Sequence, residues 1–108
     1  MKSPKQMWLV YSPAERYESS EVPRLICPDE ATANACKNKI NHFINSLAKR
    51  LPDTSSEFDA DVWQTMWDKR QAMIGKSRWP YGIKFDDYEI STFSEVVKVK
   101  PVPFRGAA

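Results

Sequence analysis

The chain has 108 residues, 42% apolar and 28% charged, with a formal net charge of +2. That size and composition suit one globular domain with room for a core, and exclude a disordered segment or a disulfide-stapled miniprotein. Two cysteines are too few for a disulfide framework, no apolar run approaches membrane-span length, and so small a net charge is no argument for nucleic acid by itself.

Met7-Trp8-Leu9-Val10-Tyr11 is an apolar run rich in aromatic and β-branched types, so it reads as a strand buried on both faces. It is too short for a signal peptide and meets Pro13 and Glu15 at once. A cytoplasmic protein with Cys27 and Cys36 reduced and half-buried is therefore expected. The polar stretch from Glu15 to Glu21 reads as a loop. Residues 22–27 form a second strand, with Pro23 at an edge or entry. Asp29 can cap a helix, and Ala33, Cys36, Ile40, Phe43 and Leu47 follow a 3-4-3-4 spacing joined by Ile44 and Leu51. Pro52 stops this helix. Ser56 is the expected N-cap of the next, with Phe58, Val62, Trp63, Met66, Trp67, Met73 and Ile74 on a wide apolar arc and Gly75 at its end. Residues 83–90 alternate around an Asp86-Asp87 turn, and 94–99 alternate less strictly; both read as strands.

The element order gives an α+β fold. A small, mainly antiparallel sheet (strands near 7–11, 22–27, 83–90 and 94–99) should be covered on one face by two helices, at about 29–51 and 56–74. Phe43, Leu47, Val62 and Trp67 should be buried between the layers. One domain, 1–108, ends in a loose tail at about 104–108. Lysines and prolines on the last strand read as a guarded edge.

Chemical motifs do not hold up. Gly75-Lys76-Ser77 resembles the end of a phosphate-binding loop, but Arg70 stands where the first glycine belongs and a helix precedes it. Ser46 and Lys49 have an acyl-enzyme spacing without the companion motifs. Asp53, Ser55 and Glu57 start like a calcium loop, but Phe58 occupies the obligatory glycine position. His42 is the single histidine, and six helical residues separate it from Cys36, about 9 Å along the axis. The expectation is a non-enzyme with no cofactor and no metal.

Binding is the remaining reading. From Lys37 to Lys84 there are nine Lys/Arg against five Asp/Glu, and three of the four tryptophans fall between Asp53 and Gly82. The first hypothesis is a protein-binding module, an inhibitor or adaptor of phage or mobile-element type. Its anchor would be Arg70, Lys76, Arg78, Trp79 and Tyr81, with Trp79 partly exposed because Trp63 and Trp67 already supply core bulk. The alternative is a nucleic-acid-binding domain contacting phosphates through Lys39, Lys49, Arg50, Lys69, Arg70, Lys76 and Arg78. Another protein is the expected partner; a second copy of the chain fits the same reading, and a membrane does not.

Overall fold

The computed structural model describes residues 6–13, 21–93 and 95–102. Residues 15–20 of the loop expected at Glu15 to Glu21, and the tail at 104–108, lie outside them. The fold is α+β, a three-stranded antiparallel sheet with helical packing against it. The chain divides into two compact units: residues 1–42 with 95–108, and residues 43–94.

In the first unit, β1 (Met7–Ser12) is central, between β2 (Val22–Cys27) and β3 (Lys98–Val102), in the order β2-β1-β3. The period of two separates its faces. Val10 and Ser12 are buried on one face, whereas Met7, Leu9 and Tyr11 on the other are only half-buried. The expected burial on both faces is therefore corrected to burial on one. Val10 pairs with Leu25 on one side and Val99 on the other. The β1–β2 register shifts between Val10 and Tyr11, which leaves Arg24 as the extra residue of a bulge, with its Nε donating to Ser12 Oγ at 2.9 Å. On the open face the Lys100 ammonium stands 4.8 Å from the Tyr11 ring centroid and pairs with Glu21 at 2.6 Å.

Helix α1 (Glu30–Arg50) starts where Asp29 Oδ1 accepts the Thr32 N–H at 2.7 Å. That bond holds the Asp29 carboxyl below its usual range. Ala33, Ile40, Ile44 and Leu47 are buried along the expected stripe, and Leu51 follows. Cys36 and Phe43 are half-buried. Within the first unit, α1 neighbours the end of β2 and is tied to the segment that leads into β3. Burial first, then the neighbouring Cys36, raises the thiol of Cys27, at the end of β2, above its usual range. Asn41 binds the backbone leading into β3: its Oδ1 accepts from Val96 N at 2.9 Å and Val97 N at 3.3 Å, and its Nδ2 donates to Val97 O at 3.2 Å.

The second unit holds the end of α1, α2 (Ala60–Lys76), a 3-10 turn (Pro80–Gly82) and α3 (Asp87–Thr92). The strand expected at 83–90 is absent, and the turn expected at Asp86-Asp87 is a helix start. Asp86 Oδ1 accepts from Glu89 N at 2.8 Å while Glu89 Oε1 accepts from Asp86 N at 3.1 Å, a reciprocal capping box that commits the segment to a helix. The final strand lies at Lys98–Val102, later than the expected 94–99, because Val96 and Val97 are engaged by Asn41 instead.

Candidate functional site

Helix α2 is capped by Asp59, whose Oδ1 accepts from Asp61 N at 3.0 Å and Val62 N at 3.1 Å. Ser56, the expected cap, sits in a turn closed by Glu57 N donating to Thr54 O at 3.3 Å, so the helix begins later. Gly75 does not end the helix either; it lies within it, and the C-cap is Ser77.

No residue of α2 is buried. Val62, expected in the core, is 45% exposed, and Trp67, also expected there, is half-buried. Trp63 and Trp67 stack on one another, 5.3 Å between centroids and 8° from parallel. Just before the cap, Phe58 is 96% exposed. A hydrophobic residue at that position ordinarily packs on the fourth helical residue, here Trp63; at 96% exposure Phe58 forms no such staple.

Arg70, expected at a binding surface, is instead an internal clamp. Its guanidinium donates to both Asp87 carboxylate oxygens at 2.7 and 2.8 Å, to Pro52 O at 2.7 Å and to Ser91 Oγ at 2.5 Å. Gln71 Nε2 adds a bond to Asp87 at 2.6 Å. The Arg70 hydrogen bond holds the Asp87 carboxyl below its usual range, with Ser91 and Gln71 acting the same way against a burial that raises it. Planar, bidentate recognition of this kind consumes the donors a partner would need.

Trp79 is likewise turned inward. It is 8% exposed, lies 5.1 Å from the Phe43 ring and 6.1 Å from the Phe85 ring, and its Nε1–H donates to Ile74 O at 3.1 Å. The expectation of a partly exposed ring is overturned. The core of this unit takes the aromatic from the loop, and α2 leaves its own tryptophans half-buried. Tyr81 is 47% exposed and adopts a left-handed backbone, φ +57°, followed by Gly82 at φ +69°. Arg78 is exposed.

The cations that do converge are Arg50, Lys69 and Lys76. With Leu47, Ala72, Met73 and Ser77 they line an open groove of about 420 Å³ within the second unit. Four of these residues, Lys69, Ala72, Met73 and Lys76, follow the i, i+3, i+4, i+7 spacing of one helix face, which was readable in the sequence. The companion face from α1 was not. Lys49 is exposed but does not line the groove, nor does Arg78, and Lys39 belongs to the first unit. The lining holds no carboxylate, imidazole or thiol. Among the described residues no group of three or more His, Cys, Asp or Glu side chains is placed to hold a metal ion, and no helix is long and apolar enough to cross a membrane. No protein-family model matches the chain, and neither a curated protein nor a solved structure matches it.

Proposed function

We infer that the chain is a non-enzymatic protein-binding module, an inhibitor or adaptor acting in the cytoplasm, and that α2 with Phe58 is its recognition element. One observation carries this reading. Of the six large apolar side chains on this 17-residue helix none is fully buried, Val62 being exposed and the other five half-buried, and the phenylalanine before it is almost wholly in water. An exposed phenylalanine and valine beside half-buried tryptophans offer an apolar surface of the kind that a partner covers. Stacked tryptophans flanked by charge are the composition of an interface core and rim.

The test pairs binding with stability. The double variant F58A/V62A changes two exposed side chains, so its thermal midpoint should stay close to that of the parent. Partner recovery from a native lysate should be lost. Retained recovery with an unchanged midpoint would remove α2 from the interface. Sedimentation of the isolated chain asks whether a second copy is the partner, since a homodimer through α2 would dissociate in the same variant.

The convergence of Arg50, Lys69 and Lys76 in a lining without acids favours a second reading, phosphate contact with nucleic acid. Arg70 drops out of that set. Three phosphate contacts would give a modest salt slope, on the order of −2 to −3 in log–log form. A gel-shift series at low salt with no complex would dispose of it.

A further inference from the structure

The groove of α1 and α2 residues has a chemistry more specific than "basic". Its accessible apolar lining is the exposed Ala72 and the half-buried Met73, hydrocarbon and thioether, while Leu47, which also lines it, is fully buried. Around this lining stand three cations. Among the described residues none of the three makes an ion pair. Arg50 makes one long bond, from Nε to Ser46 O at 3.4 Å. Asp68, the acid adjacent to Lys69 in sequence, points a quarter-turn away and accepts instead from Gln64 Nε2 at 2.9 Å. Helix dipoles account for part of the pattern, because Arg50 and Lys76 lie in the last turns of their helices, where positive charge is favoured. They do not account for Lys69, which lies mid-helix.

We propose that this groove binds an acidic, amphipathic segment of a partner protein, its carboxylates on Arg50, Lys69 and Lys76 and an apolar side chain on Ala72 and Met73. The proposal rests on the protein-binding reading and gives the partner its chemistry. Charge complementarity selects the acids; the volume suits a few side chains and not a folded domain. Methionine accommodates apolar groups of differing shape. A nucleic acid fits less well. The lining has no aromatic ring on which a base could stack, and its apolar part has no counterpart in a phosphate backbone.

The experiment uses the full chain against a displayed library of random peptides, followed by fluorescence polarisation with the enriched peptides made synthetically. Enriched sequences should carry spaced Asp or Glu residues around a Leu, Met or Phe. Affinity should fall at least about tenfold with K69E/K76E, and equally when the peptide's Glu residues become Gln. The milder K69Q/K76Q pair, with a thermal melt of each variant, separates lost binding from lost fold. Enriched peptides without an excess of acids, or peptides that bind K69E/K76E undiminished, would overturn the proposal. If those same peptides are lost from F58A/V62A, the protein-binding reading survives without it. Failure of any peptide to enrich overturns the proposal, and an oligothymidylate that binds where no peptide does overturns both readings.

Discussion

Asn41 occupies a position in α1 where the surrounding stripe of Ile40 and Ile44 would accept hydrocarbon. Its amide instead satisfies two backbone N–H groups and one carbonyl in the Val96–Val97 segment, all buried. Removing it strands all three, and unsatisfied buried groups cost more than the bond itself contributed. Asn41→Ala should therefore destabilise by about 2–4 kcal/mol, read as a lower urea midpoint with an unchanged slope. A loss within experimental error would mean that water replaces the amide. Trp79 makes the parallel case for an aromatic. Because its ring is held by Phe43, Phe85 and the Ile74 carbonyl, Trp79→Ala should cost about 3–5 kcal/mol, as for other large core truncations. A thermal midpoint near that of the parent would show the ring to be dispensable. The local sequence could not decide this. Pro80 restricts Trp79 to extended backbone, which is what it adopts, but extended backbone can aim a ring inward or outward.

The short helix α3 shows how one element can carry two readings. Tyr88, Ile90 and the surrounding alternation suggest a strand, while Asp86-x-x-Glu89 spells a capping box. The structure follows the box. Six residues make a helix too short to persist alone, and the Arg70 guanidinium fastens it to α2 and to Pro52. Arg70→Ala should cost about 3 kcal/mol at neutral pH, since it leaves the Asp87 carboxylate largely withdrawn from water without its partner. The linkage has a definite sign. Asp87 is depressed in the folded state, so its contribution is complete above its unfolded value, about 3.9, and is lost as pH falls through the folded value. Asp87→Asn should lie well below the parent in urea midpoint at neutral pH and converge toward it below about pH 4. A gap constant with pH would place the effect in packing instead of charge. Helix α2 was legible in type from its periodicity, but not in its ends. Its exposure was not, because an apolar arc looks the same whether a helix is covered by its own chain or by another.

At the scale of the whole molecule, the α+β class and both long helices could be read from residue patterns, since these depend on local spacing. Strand partnership could not, because it is decided by segments far apart in sequence. Met7 pairs with Val102, and Trp8 with Pro101, so the central strand acquires its second neighbour from the last described residues. One unit is thus assembled from both ends of the chain, and the other is contiguous, residues 43–94. Closing so long a loop is entropically costly and slow relative to local helix formation. In pulse-labelled refolding, amides of β1 and β3 should gain protection after those around Trp79; simultaneous protection would contradict this order. On a ribosome the asymmetry becomes a matter of timing. Translation delivers β1 well before β3, and until Lys98 emerges the nascent chain holds a hydrophobic strand with one side still unpaired. The interval between Ser12 and Lys98 is when the newborn protein is most in need of a chaperone, and a stop codon before Lys98 would make that interval permanent.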